Sequence, residues 1–516
     1  MDVHVNNYLG IDLGTSSVKA AVFSDNLEFL CGTSERYGIK YLEGGGAEQS
    51  PSEWWKALVK ACGMLSSQFP EHWNGITGVA VTGQFSGTIP LDASGNPLMD
   101  AIIWLDSRGE VETRKLISGF PGMGGYRIDK LYSWIHLTGG APTRSGKDSI
   151  SHILFLKKEY PEIFMKTRMF MEPKDYINYR LTGKFVSTFD NMVLHWITDN
   201  RDPDNIHYSK SLLKMVGLDQ SLFPSLVGSW EAIGHPSDIA AKELGIRNKT
   251  VVAGGSGDIQ SAIIGSGCLD NLEPILYIGS SSWVSCHVPY KKTDLMHNIA
   301  SLPSALPGKY FVAAEQENAG SALTYVKDLF QNGIPISYSE LDEVARMAPP
   351  GSDGLIFLPW LYGERAPVES KSLRSSFFNI SLMHKKPHFV RAVMEGVGYN
   401  TRWLLGSVEK FVGKELPYLV MSGGGASSEF WAQTMADILN REIRTMDNPF
   451  FVNSRGAAIL ALMAKGMNPF EVIRQKDSQR TVYKPDSDAS NIHKQNYEAF
   501  IRFYKDNRKS LSLLNT

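Results

Sequence analysis

The sequence predicts an α/β protein of two related halves closing over a cleft. Three observations carry that reading: a chain too long for one core, a small-residue turn between two β-rich runs near its start, and a second such turn near its middle. The 516 residues exceed the roughly 50–250 of a typical domain. A composition of 43% hydrophobic and 21% charged residues suits a buried core in each half.

The first turn lies in Tyr8-Leu9-Gly10-Ile11-Asp12-Leu13-Gly14-Thr15-Ser16-Ser17, which runs on into Val18-Lys19-Ala20-Ala21-Val22-Phe23. Two β-rich runs around a Gly/Thr/Ser turn read as a hairpin. A third β-rich stretch spans Leu27 to Thr33. Ser50-Pro51-Ser52-Glu53 then opens a helix: Ser50 suits the N-cap, Pro51 the first helical position, and Glu53 completes a capping box. Trp54, Leu58, Ala61, Cys62 and Leu65 follow at helical spacing. Ile76 to Gln84 is a β run ending at a glycine, and Ala101 to Arg108 is an apolar run with a polar end. Residues 145–230 read mostly as helices and loops. Val251 to Asp258 reads as a strand ending in a glycine-rich turn that carries one acid.

The order then restarts. Ile275 to Val284 repeats the opening pattern: a β run, Gly279, three serines, a β run. Leu419 to Gly425 repeats Val79 to Gln84. Two echoes in matching order read as an old internal duplication, with the halves divided at residues 1–262 and 263–516. No Pro/Gly/Ser-rich linker marks the division, so the halves are expected to pack closely. The tail from 484 to 516 has a helical pattern with Tyr497, Phe500, Ile501 and Tyr504 on one face.

Other classes are excluded by composition. A net charge of −2, from 52 basic and 54 acidic residues, gives no electrostatic reason to bind nucleic acid or an anionic membrane. Cys31, Cys62, Cys268 and Cys286 form no CxxC pair, which argues against structural zinc and a disulfide framework and fits a reducing cytoplasm. Met1 to Gly10 has no basic region before an apolar stretch, so no signal peptide is expected. No run of about 18 apolar residues occurs. Gly146-Lys147 continues to Asp148, so there is no P-loop, and Gly265-Ser266-Gly267 lacks the third glycine of a dinucleotide fingerprint.

Three segments can carry chemistry. The Gly14–Ser17 turn can offer backbone N–H groups and hydroxyls to phosphate oxygens, with Lys19 adding charge and Asp12 suited to a hydrated Mg²⁺. Alone, it is equally a plain tight hairpin; its pairing with Gly279–Ser282 favours the phosphate reading. Asp258, directly after Gly254-Gly255-Ser256-Gly257, can accept the proton of an attacking hydroxyl, though an acid there also reads as an Asx-type turn cap. Ser422-Gly423-Gly424-Gly425-Ala426-Ser427-Ser428 feeds a helical pattern from Phe430, a ready anion site where a flat nucleoside can approach the backbone. The bland alternative is a strand-to-helix loop.

In this order the segments resemble the FGGY carbohydrate kinases, and within them most resemble xylulokinases, over roughly residues 8–504. The matching stretches are Gly10–Lys19, Ala47–Pro51, Val79–Thr88, Ile103–Arg108, Pro173–Tyr176 with Leu181–Gly183, Gly254–Asp258, Tyr277–Ser282, Gly320–Asp328 and Ser422–Asp437. The resemblance implies a ribonuclease-H-like, actin-like ATPase core in each domain. It puts the sugar and first phosphate hairpin in 1–262, and the second hairpin and adenosine in 263–516. It implies that Asp258 is the catalytic base and that Thr15, Ser16, Ser17 and Lys19 surround the ATP phosphates, with Asp12 and Asp258 toward Mg²⁺. Ser280 and Gly320 fall where the family contacts ADP; Gly424, Gly425 and Ser428 fall near the α-phosphate and adenosine. The sugar is expected against Gln84, Phe85, Ser86, Trp104, Asp106 and Asp258.

The reaction so implied is ATP-dependent phosphorylation of a ketopentose such as D-xylulose to its 5-phosphate. Typical xylulokinases carry Met-His where this chain has Phe85-Ser86, so the histidine that would bond a ketose hydroxyl is absent. Kinases of ribulose, glycerol or a deoxy sugar therefore stay open, as does a non-catalytic nucleotide-binding regulator, against which the intact Asp258 argues. Trp104 can also be a core aromatic. A cytoplasmic location and a homodimer are expectations from the family.

Overall fold

The computed structural model describes residues 6–330, 335–476 and 480–515, with residues 475 and 476 described by their backbone alone. Met1 to Val5, on which part of the reading of the amino terminus rests, lie outside the described residues.

Two mixed sheets form the scaffold. In the first, Asn7–Leu13 pairs antiparallel with Ser17–Ser24, which pairs antiparallel with Phe29–Arg36. On its other side Asn7–Leu13 runs parallel to Ile76–Gly83, then come Val251–Ala253, also parallel, and Ala232–Gly234, antiparallel. The second sheet repeats this order. Ile275–Ile278 pairs antiparallel with Ser282–Ser285, which pairs antiparallel with Glu315–Gln316. On its other side lie Tyr418–Ser422 and Glu442–Thr445, both parallel, and Thr481–Tyr483, antiparallel. The duplication read from two sequence echoes thus extends to six strands of each sheet in matching order and polarity. The near-continuous burial of Asn7–Leu13 follows from helices covering both faces of the parallel part.

The halves interlock. The helix Val452–Ala464 packs on Asn7–Leu13 and Ile76–Gly83 of the first sheet and crosses the helix Asp258–Gly265. The crossing depends on Gly456, where a Cβ would lie 1.9 Å from the Ser261 carbonyl oxygen. The division expected between residues 262 and 263 falls inside the helix Asp258–Gly265.

Helix Pro51–Gln68 starts with proline as expected and buries Trp54, Leu58, Ala61, Cys62 and Leu65. Its capping box does not form: the Ser50 hydroxyl engages that of Ser52 at 2.9 Å and caps no backbone N–H. The run from Ala101 to Arg108 is strand only at Ala101–Ile102. The carboxy-terminal helix Ser487–Leu514 buries Phe500 and Tyr504 against Trp360, at ring separations of 5.6 and 5.5 Å. All four cysteines are buried, and none of them forms a disulfide. Among the described residues no helix is long and apolar enough to cross a membrane, and no group of three or more His, Cys, Asp or Glu could hold a metal ion.

Candidate active site

The first hairpin turn is closed by the Gly14 N–H donating to the Ser17 carbonyl at 3.0 Å. It leaves Ser16 exposed at the tip and Thr15 and Ser17 half-buried. Register makes Asp12 and Lys19 cross-strand partners, and they form an ion pair of 3.0 Å. Burial works against the Lys19 charge, but Asp12, Tyr277 and Asp258 outweigh it and hold the ammonium up at about 12. Lys19 also lies 4.7 Å from the ring of Phe450, a residue of the second half. Asp12 is buried, and its Oδ1 has no hydrogen-bond partner.

The segment Gly254–Asp258 is a turn, a two-residue strand Ser256–Gly257 beside Thr82–Gly83, and then a helix that begins at Asp258 itself. Asp258 is half-buried. Its Oδ1 accepts only the adjacent Ile259 N–H, at 2.9 Å. Burial, then the negative charges of Asp12 and Glu315, push its carboxyl up to about 7, against the opposing pull of the Ile259 N–H and Lys19. These neighbours come from both halves, so Asp258 faces the gap between them. Two carboxylates in mutual range, one with an unpartnered oxygen, suit a divalent cation that takes its remaining ligands from water and phosphate.

The second hairpin turn is closed by the Gly279 N–H donating to the Ser281 carbonyl at 2.9 Å, with Ser280 exposed at its tip. Gly320 opens the helix Gly320–Phe330 and donates its N–H to the Gly279 carbonyl, again at 2.9 Å. Tyr277, just before this turn, stands in the field of Lys19, Asp12 and Asp258 and stacks on Trp283 at 4.6 Å. The stems of the two hairpins therefore lie within electrostatic range of each other. In the glycine run, Gly424 is exposed, and an added Cβ there would meet nothing within 4 Å. A short 3₁₀ turn intervenes before the helix Glu429–Leu439, which is capped by the Ser428 hydroxyl accepting the Trp431 N–H at 2.9 Å. Gly424, Gly425 and Ser428 thus form one open turn at a helix N-terminus.

Among the residues expected to meet the sugar, Trp104 donates its indole N–H to Thr15 Oγ1 at 2.9 Å. Gln84 is buried, donating to Gln49 Oε1 at 2.9 Å while its own Oε1 lacks a partner. Phe85 lies against Gly257, where any Cβ would collide with its ring. Ser86 is buried with φ +55°. Asp106 corrects the sequence expectation: it has no exposure, and its two oxygens accept from the Ala47 N–H, the Arg108 N–H and the Arg108 guanidinium. It anchors a loop and presents no exposed oxygen to a sugar.

Sequence reasoning missed Arg365, Glu315, Glu317 and Gln49. Arg365 pairs with Glu315 at 2.5 Å and Glu317 at 2.7 Å, and its guanidinium lies 5.8 Å from the Trp104 ring across the cleft. Gln49 donates to the Thr15 carbonyl at 2.7 Å, bracing the first turn from below. The signal for Arg365 was the charged pair Glu364-Arg365 that follows the apolar run Leu355–Leu361 after Tyr362-Gly363.

Two α/β halves of one pattern, each offering a small-residue hairpin to a shared cleft with a carboxylate between them, define a sugar kinase of the actin-like type. The chain matches the model of the FGGY family of carbohydrate kinases, N-terminal domain, over residues 7–265 and the model of its C-terminal domain over residues 279–465. It belongs to the FGGY family of carbohydrate kinases, which use ATP. A xylulose kinase of Staphylococcus epidermidis is 29% identical over 97% of each chain. A gluconokinase of Bacillus subtilis is 28% identical over 96% of this chain and 94% of its own. The crystal structure of a xyloylose kinase from Brucella ovis superposes with a TM-score of 0.83 at 26% identity, covering 98% of this chain and all of the other.

Proposed function

We propose that the chain transfers the γ-phosphoryl group of ATP in line to a terminal hydroxyl of a ketopentose such as D-xylulose, with Asp258 as general base. The observation that carries this reading is the Asp258 carboxyl, raised to about 7 at the meeting of the two halves, where it can take up a hydroxyl proton near neutral pH. As the acceptor oxygen bonds to phosphorus, the bond from phosphorus to the ADP oxygen breaks and the hydroxyl proton passes to Asp258. The turns Gly14–Ser17 and Gly279–Ser282, with Lys19, stabilise charge on the transferring group through N–H groups, hydroxyls and an ammonium. Ser280 and Gly320 lie where ADP would rest, and Gly424, Gly425 and Ser428 where adenosine would.

Asp12 and Asp258 are the residues that would hold Mg²⁺, which when bound neutralises phosphate charge. Gln84, Ser86 and Trp104 line the acceptor side; Phe85 acts on it from behind Gly257. Packing of Trp104 against Arg365 supports a closed, water-excluding site, which limits hydrolysis of ATP.

A sugar acid is the second reading. Lys147 is half-buried, and burial lowers the pKa of its ammonium while Glu317 opposes that and Arg365 adds to it; Arg365 is already paired with Glu315 and Glu317, so Lys147 is the cation that could meet a carboxylate at the far end of the acceptor. ADP release measured with D-xylulose, ribulose, glycerol, deoxy sugars and gluconate decides. Turnover of D-xylulose well above the others is expected. Selective turnover of gluconate would replace the ketopentose reading, and no acceptor-dependent ADP release from any of them would leave a nucleotide-binding regulator.

A further inference from the structure

Behind the acceptor side lies a layer of buried titratable side chains that the proposed chemistry does not use. Glu172, Lys174, Asp175 and Asp190 are all fully buried. Buried charge is costly and persists where it is paired and hydrogen-bonded. Lys174 and Asp175 pair at 2.5 Å. The two remaining carboxylates each hold a glycine amide. Glu172 accepts the Gly87 N–H at 2.9 Å and the Ser149 hydroxyl at 2.5 Å. Asp190 accepts the Gly257 N–H at 3.0 Å and the Ser229 hydroxyl at 2.5 Å.

Gly87 directly follows Ser86, and Gly257 directly precedes Asp258. The other end of the Asp258 turn is held by the same layer: Lys174 donates to the Gly254 carbonyl at 3.0 Å and Asn178 to the same oxygen at 2.8 Å. Gly257 has no side chain to lock it, and its outer face is closed by the Phe85 ring. Each of these hydrogen bonds is buried away from competing water, where a hydrogen bond is stronger and a lost partner costs more, so the layer fixes the backbone on which the acceptor loop and the base are mounted.

We infer that Asp190 and Glu172 are positioning residues: Asp190, with Lys174, for Asp258, and Glu172 for Ser86 and the acceptor loop. The inference rests on the reading of Asp258 as base. A displacement of about 1 Å at a reacting group can cost on the order of a hundredfold in rate, and the two anchors act on different parameters.

Steady-state kinetics on the full chain, with ATP and the fastest acceptor of the panel above, test this. Asp190→Ala is expected to lower kcat by about 30- to 100-fold with both KM values within about threefold. Asp190→Asn, whose carbonyl oxygen still accepts the Gly257 N–H, should recover most of the loss. Glu172→Leu is expected to raise the acceptor KM about tenfold and leave the ATP KM unchanged, with Glu172→Gln restoring it. Equal loss in every parameter, or conservative variants no better than the truncations, would reduce the layer to a structural role and overturn the inference. Should Asp190→Ala not fold, Asn178→Ala removes one donor from the Gly254 carbonyl and no charge, and a kcat within twofold of the parent would count against the clamp. Asp258→Asn run in parallel separates the two readings. If it stays active, the base assignment fails; if it is inactive while Asp190→Ala is not, only the positioning role fails.

Discussion

Asp258 owes its chemistry to neighbours that lie far from it in the chain. Withdrawal from water and the charges of Asp12 and Glu315 raise its carboxyl to about 7. A base works only when deprotonated, so kcat/KM is expected to fall as the pH drops through about 7. Glu315→Gln removes one of the raising charges and should move that limb to lower pH. A pH–rate profile flat between about pH 6 and 8 would remove Asp258 from the role. The sequence pointed to Asp258 through its glycine turn, yet a plain turn cap read better there on sequence alone. The field around Asp258 was not legible, because Glu315 and Lys19 meet it only through folding. Asp106 shows the converse: its position in a matching segment suggested a sugar contact, but Arg108 two residues on and the Ala47 amide consume its oxygens.

At the level of elements, both hairpins were legible, since a β run, a small-residue turn and a second β run specify local pairing. The link between them and the acceptor was not. Trp104 reaches Thr15 through one hydrogen bond, in which that hydroxyl accepts and keeps its own proton to donate. Trp104→Phe keeps an aromatic ring and loses that donor. It is expected to raise the ATP KM by about 3- to 10-fold, as for one lost hydrogen bond, with the acceptor KM nearly unchanged; an unaltered ATP KM would unlink the two. The glycine run makes a sharper case. Gly424 opens on empty space, so Gly424→Ala should fold and melt like the parent. If adenosine lies over this turn, its ATP KM rises several-fold; if not, the nucleoside binds elsewhere.

Across the whole molecule, the raised Asp258 carboxyl trades stability for reactivity. In the folded chain its value stands at about 7 against an ordinary 3.8. Folding therefore favours the protonated form, and that contribution is fully present below about pH 4 and lost as the pH rises through about 7. With nucleotide and metal ions removed, Asp258→Asn should melt at a higher temperature than the parent at pH 8, and the gap should narrow steadily towards pH 5. A gap independent of pH would mean that the carboxylate is not held at such a cost. Sites of this kind commonly sit below their stability optimum.

By itself the sequence determined the class of fold, the doubling of the hairpin pattern and the two small-residue turns, because turn residues and β-rich runs act over a few neighbouring positions. Only the tertiary structure decided that Asp258 is raised toward neutrality, that Asp106 is buried in anchoring a loop, that Arg365 crosses the cleft to Trp104, and that a helix of the second half completes the first sheet's packing. Charge, burial and close approach depend on distances between residues remote in the chain, and those distances exist only once both halves have folded against each other.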